Sequence, residues 1–435
     1  MAVKKKVAKK SVKKAAGKSR SSKGSGAGEA QASTGGFVFA NPKPSPDDYA
    51  NFSKSDVFAD SNVTASSAIQ PIPKSWRQPE VLDLAQVLSA AELQQIQAAK
   101  SITFHTVGDT GGIKEPSKQF AVADAMASDL ENKTHQNGLP VFFYHLGDVV
   151  YYLGQERYYY DQYYDPYRDY NAPIFAIPGN HDGMVSPSLP EKSLDGFYEN
   201  FCTEAPSHNP EAQGFARTTM TQPGVYFTLD APLVKIIGLY SNISEGATQG
   251  VISGGVVGTA QLTFLQQQLK AAAQERTAGN RRALVIAVHH PPFTGSQDHA
   301  PSPAMLTQID SACQLAGVLP DMVLSGHAHL YERYTRFMGS TQIPFIVAGT
   351  GGYFNLSGFK RTSAGALPKL PFMGTDAKGN KLRLDAINEN NFGFLRISVS
   401  ASAVTGQFLG VNVATKGAPT LLDHFTLDLN HHTVS

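Results

Sequence analysis

Asp109, Asp148 with Tyr151, Asn180 with His181, His289, and His327 with His329 each follow an apolar, strand-like run. Carboxylate, phenolate, amide oxygen and imidazole together suit hard or borderline divalent and trivalent cations. A carboxylate between two ions can bridge them, and two ions about 3.5–4 Å apart form a clamp for displacement at phosphorus. In His327-Ala328-His329, alternate residues point in similar directions if the segment is extended, which would bring two imidazoles to two neighbouring ions. Each piece alone is weak. In a chain with 13 histidines a lone one is more often structural, and Gly-Asp pairs are common turns. His105 and His145, inside strand-like runs, read as core or supporting residues. All five endings together make coincidence a poor explanation.

Such donors need strands to carry them. The runs at 101–104, 141–144, 173–178, 283–288 and 321–324 are short and apolar, the pattern of buried strands. Gly147 permits a sharp turn that leaves Asp148 at a strand end. In open α/β sheets, ligands bind just outside the carboxyl ends of the strands. Helices are expected near 90–96, 117–131, 259–273 and 303–316. Further strands are expected within 225–240 and at 343–348, 392–399 and 425–429. The order implies a mixed α/β fold with an antiparallel closing portion. The tyrosines of 158–164 are expected to pack beneath a loop rather than line a pocket.

A chain of 435 residues, 41% of them hydrophobic, can bury a sizeable core in one large domain or two to three ordinary ones. The formal net charge of +1 hides an asymmetry. Residues 1–23 hold ten Lys and Arg and no acid, leaving 27 basic against 36 acidic residues, a charge of −9, on the remainder. Residues 1–35 cannot bury apolar area and are expected to form a disordered Lys-rich tail. A flexible leader is the favoured reading of that tail, and an arm for nucleic acid or another polyanion is the alternative. Residues 36–100 read as an N-terminal extension that wraps on the main domain, 101–430. No apolar stretch follows the basic residues as a secretory signal requires, so the cytoplasm is the default expectation. No stretch reaches the roughly 18 apolar residues of a membrane span. Cys202 and Cys313 read as free thiols rather than a disulfide framework.

These segments resemble the signature of the calcineurin-like metallophosphoesterases, and within them the purple acid phosphatases. That family's pattern is D-x-G, G-D-x-x-Y, G-N-H-(D/E), V-x-x-H and G-H-x-H. Here it stands as Asp109-Thr110-Gly111, Gly147-Asp148-Val149-Val150-Tyr151, Gly179-Asn180-His181-Asp182, Ile286-Ala287-Val288-His289 and Gly326-His327-Ala328-His329. Only Ile286 departs, conservatively. The resemblance implies an α/β sandwich of two mixed β-sheets flanked by helices, with a metal site at strand carboxyl ends, over a catalytic domain at 101–430. By position it implies Fe(III) held by Asp109, Asp148, Tyr151 and His329. It also implies a divalent ion (Fe, Zn or Mn) held by Asp148, Asn180, His289 and His327, with Asp148 bridging. A metal-bound hydroxide would attack phosphorus. His181, oriented by a nearby carboxylate, would bind phosphate or protonate the leaving oxygen. His299 resembles a position that contacts phosphate or the leaving group, and His290 is expected to point away from the metals. Relatives are often exported. The implied activity is acid phosphatase-like hydrolysis of a phosphate ester, specifically phosphomonoesters. A phosphodiesterase of the same superfamily acting on nucleotides or nucleic acid is the second reading. A polyanion-binding protein with a vestigial catalytic domain is the third, and the full ligand set argues against it.

Overall fold

The computed structural model describes residues 71–132, 138–185, 190–242, 250–415 and 417–435. The tail of residues 1–35, the polyanion arm attributed to it, and the first half of the extension lie outside the described residues.

Strands are numbered in chain order. Nine form one sheet, running β1 (Val81–Asp83), β5 (Phe227–Asp230), β6 (Val234–Leu239), β7 (Ala283–Val288), β8 (Met322–Ser325), β10 (Thr341–Ala348), β9 (Tyr331–Met338), β12 (Lys381–Asn388) and β11 (Phe372–Thr375). Seven form the other: β16 (Thr433–Val434), β15 (Thr420–Asp428), β14 (Ala403–Gly410), β13 (Gly393–Ser400), β2 (Ser101–Val107), β3 (Pro140–His145) and β4 (Ile174–Ala176). Both are mixed. β6, β7, β8 and β10 are parallel neighbours in the first, and β2, β3 and β4 in the second. Antiparallel strands complete each sheet. Parallel strands covered on both faces read as unbroken apolar runs, and β7, Ala-Leu-Val-Ile-Ala-Val, is buried along its whole length.

The helices are α1 (Ala90–Ala99), α2 (Ser117–Leu130), α3 (Asn180–Gly183), α4 (Asp195–Phe201), α5 (Ala260–Thr277) and α6 (Pro303–Ala316). Local chemistry sets their ends. Ser89 and Glu92 form a reciprocal capping box on α1. Ser302 caps α6, Pro303 opens it, and Gly317 closes it in the left-handed conformation. α2 packs on β3 and β13, and α5 packs on β6 and α6. None of the described helices is long and apolar enough to cross a membrane.

The extension contributes more than a helix: β1 adds a parallel edge strand beside β5. β9, β11, β12 and β14 were also not expected from the sequence; their polar, charged or glycine-bearing stretches hide the strand pattern. The tyrosine run forms a π-helical turn, Tyr160–Tyr164, with Tyr158, Tyr159, Tyr163 and Tyr164 buried. His105 is a core residue bonded to Asp129 at 2.9 Å and Tyr170 at 3.0 Å. Both cysteines are buried and free.

Candidate metal centre

The donors come from both sheets. β2, β3 and β4 deliver Asp109, Asp148 with Tyr151, and Asn180; β7 and β8 deliver His289 and the His327-Ala328-His329 segment. Hydrogen bonds tie the two sets together. His289 Nδ1 donates to the Leu146 carbonyl at 2.8 Å, and the His327 amide donates to Asp109 Oδ2 at 2.8 Å. The turns are tight enough to restrict residue type. Gly147 has φ 94°, and a Cβ there would sit 2.7 Å from both the Gly179 nitrogen and His289 Nδ1. Asp109 and Asp148 adopt φ 59° and 53°, a region aspartate tolerates better than most residues.

Asp182 pins two of these turns. Its carboxylate accepts from the amides of Gly179 at 2.8 Å, Val149 at 3.1 Å and Val150 at 3.2 Å. Burial and the Asp148 charge push its pKa up to about 7, against the pull of those amides. Asp182→Ala would leave three buried amides without an acceptor. At about 1–3 kcal/mol for each unsatisfied group, a loss on the order of 3 kcal/mol is expected. It should appear as a lower urea midpoint at an unchanged m-value; a loss below about 1 kcal/mol would show that the amides find other partners.

The donor atoms converge in two groups. Tyr151 donates its hydroxyl to Asp109 Oδ1 at 3.1 Å and lies 3.3 Å from His329 Nε2, which is 3.5 Å from Asp109 Oδ1. Asp148, His289 and His327 offer ligand atoms within 4.8 Å of one another. Asn180 Oδ1 joins this second group, 3.0 Å from His327 Nδ1. The two imidazoles of 327 and 329 do go to separate groups, but not through an extended segment: His327 has φ 67°. The left-handed turn, rather than strand alternation, separates them.

The chemistry of this set fits cations. Asp109 and Asp148 are buried, and neither forms an ion pair with Lys or Arg among the described residues. Buried carboxylates without a cationic partner are costly. Burial alone would raise the Asp148 pKa, but His289 and His181 more than offset it and hold the carboxyl below the usual range. His289 is pushed the other way. Burial lowers it, the Asp148 charge raises it, and it settles at about 9. His327 Nε2 is buried without a hydrogen-bond partner, and His289 Nε2 faces the Asp148 carboxylate at 3.2 Å, positions that suit ligand nitrogens. Burial, Asp109 and Asp148 all push the Tyr151 phenol well above its ordinary pKa.

Three histidines surround these groups. His181 Nδ1 lies 2.7 Å from the Tyr152 carbonyl, which only accepts, so Nδ1 carries a proton and Nε2 is left for other partners. Among the described residues no carboxylate bonds the His181 ring: Asp182 is spent on backbone amides, and Asp148 Oδ1 takes only the His181 backbone amide at 2.9 Å. His290 does not point away either. Its ring centroid is 4.1 Å from that of His327, and Ser241 Oγ holds its Nδ1 at 2.9 Å. His299 reaches the site, with centroids 4.7 Å from His327 and 5.0 Å from His329. Burial and His329 push its pKa down to about 4. Glu332 Oε1 accepts the Gly295 amide at 2.9 Å and so anchors the loop carrying His299. His145 supports the Asp148 turn, accepting from Gly147 at 3.1 Å and meeting Thr110 Oγ1 at 2.8 Å. Sequence reasoning missed Tyr353, whose ring centroid is 4.3 Å from both Tyr151 and His329. Its only signal, a Gly-Gly-Tyr run after a strand, is unspecific.

The family model for calcineurin-like phosphoesterases matches residues 102–331. The chain belongs to that family. The family is one of metal-dependent phosphoesterases, and the Asp148, His289 and His327 group, which could hold a metal ion, agrees with membership. Among solved structures, a purple acid phosphatase from yellow lupin seeds matches with a TM-score of 0.50 at 15% identity, over 75% of this chain and 54% of that one. The chain therefore spans about half the length of the lupin protein. GAP50, described as the anchor in the inner membrane complex of Plasmodium, matches with a TM-score of 0.48 at 14% identity, over 75% of this chain and 89% of that one. At 15% identity the likeness to the lupin protein concerns the fold alone. No curated protein matches the chain.

Proposed function

We propose that this phosphoesterase is a phosphomonoesterase with a dinuclear centre of the purple acid phosphatase kind. Asp109, Asp148, Tyr151 and His329 would hold Fe(III); Asp148, Asn180, His289 and His327 would hold a divalent iron, zinc or manganese ion. Bound cations would neutralise charge on the phosphoryl oxygens and acidify a water for in-line attack. The chain's own groups do the rest. Asp148 would be the bridge: its Oδ2 lies 3.2 Å from His289 Nε2 in one group, and its charge helps raise the pKa of the Tyr151 phenol in the other. His181 Nε2 is the ring nitrogen available to a phosphoryl or leaving-group oxygen. His299, whose ring lies beside those of His327 and His329, would contact the phosphoryl group or the leaving group.

The observation that carries this reading is the Tyr151 hydroxyl, within 3.3 Å of both Asp109 and His329. A phenolate on a ferric ion absorbs in the visible. Iron-loaded protein should be pink to purple, and Tyr151→Phe should lose that band at matched iron content. A band unchanged in Tyr151→Phe would remove Tyr151 from the ligand set. A panel of nitrophenyl mono- and diesters, run with metal analysis, tests substrate class. The monoester should be turned over faster, and a diester preference would overturn the phosphomonoesterase assignment.

A further inference from the structure

The tyrosine-rich turn at 160–164 has no part in the chemistry above, yet one of its side chains reaches the candidate ligand Tyr151. Gln162 is buried, and its amide grips the Tyr151 backbone from both sides. Oε1 accepts the Tyr151 amide at 2.8 Å, and Nε2 donates to the Tyr151 carbonyl at 2.7 Å. A second buried glutamine holds the first: Gln119 Nε2 donates to the Gln162 carbonyl at 2.6 Å, and Gln119 Oε1 accepts the Gly112 amide at 2.8 Å. The two glutamines thus link the loop after β2, the loop after β3 and the π-helical turn.

The glycine of the Asp109-Thr110-Gly111 segment takes its meaning from this link. A Cβ at Gly111 would collide with Gln162 Oε1 and with the Tyr151 ring. On the far side, a Cβ at Gly352 would collide with the Gln119 backbone, and Gly352 precedes Tyr353, whose amide donates to the Asp109 carbonyl at 3.0 Å. π-helical turns are rare and often occur at functional sites. Here the wider turn carries the residue that fixes Tyr151.

We infer that Gln162, held in place by Gln119, is a positioning residue for Tyr151 and thereby for retention of the ion on the Asp109–His329 side. The inference rests on the two-ion reading above. Partners that orient a ligand typically contribute about 10–100-fold to metal affinity. Gln162→Leu has similar bulk but leaves the Tyr151 amide and carbonyl without their partner. Gln119→Leu leaves the grip in place and loosens its support.

The test uses full-length protein loaded with ferric iron and zinc(II), challenged with a graded chelator and analysed for both metals. Gln162→Leu should release one ion, iron, at about 10–100-fold lower chelator concentration while retaining the other. Gln119→Leu should fall between it and the wild type. Tyr164→Phe is the control. It removes a bond from the same turn, to Asn200 Oδ1 at 2.6 Å, without touching Tyr151, and should keep both ions. Two ions retained equally by wild type, Gln162→Leu and Tyr164→Phe would overturn the inference alone. A wild type that binds only one ion would overturn the two-ion reading and the inference together. If Gln162→Leu does not fold, Gln119→Leu decides: weakened iron retention supports the assignment, and wild-type retention overturns it.

Discussion

Asp148→Asn should lose both ions and lower turnover more than about 100-fold, beyond what an outer-sphere partner usually costs. Asp148 is 1% exposed, offers an oxygen to the His289–His327 group, and its charge reaches Tyr151 of the other group. Its Oδ1 accepts the His181 amide at 2.9 Å, and its Oδ2 lies 3.2 Å from His289 Nε2. Asparagine can keep the first contact and present its NH2 to the second, so the turn has no reason to collapse. The variant lacks the negative charge that two cations would share. Metal analysis and a thermal melt of the metal-free proteins separate the effects. A matching melt with depleted metal and turnover is the expected result. Full metal content with wild-type turnover would remove Asp148 from the bridge.

His181→Ala should be selective. General acid catalysis is typically worth about 10²–10⁴ in rate, and it matters most when the leaving oxygen is a poor leaving group. With Nδ1 committed to the Tyr152 carbonyl, only the doubly protonated ring can give a proton from Nε2. Alkyl phosphates should therefore lose about 10²–10⁴ in kcat/KM while a nitrophenyl ester loses far less. A uniform loss across a leaving-group series would assign His181 to phosphate binding rather than proton transfer.

The candidate donors stood out in the sequence because each combines a metal-binding side chain with the end of an apolar run, and both are local properties of sequence. The parallel strands were legible for the same reason: β7 and β8 are buried throughout. What escaped depends on distant partners. The ring of His290 turns toward His327 because Ser241, 49 residues away, anchors it. His181 takes its orientation from a backbone carbonyl, which carries no residue signature. Gln162 and Gln119 look like any polar residues until the fold brings loops together. β12 and β14 mix charged or small residues with apolar ones, so their pairing partners define them rather than their own pattern. Even where the outcome matched, as in the separation of His327 from His329, the cause was a left-handed turn that a two-residue alternation does not describe.

The pairing of β2 with β13 has a consequence for biosynthesis. Ser101 faces Ser400 and Thr106 faces Leu395, so the strand delivering the first donor takes its neighbour from almost 300 residues later. All seven proposed ligands have been translated once the ribosome passes His329, yet β2 then still has a bare edge. Exposed edges on incompletely folded chains invite pairing with other molecules. A nascent chain paused between His329 and β13 would carry every proposed ligand without the strand that pairs with β2. Ion uptake should therefore follow release of the C-terminal strands rather than synthesis of the last ligand.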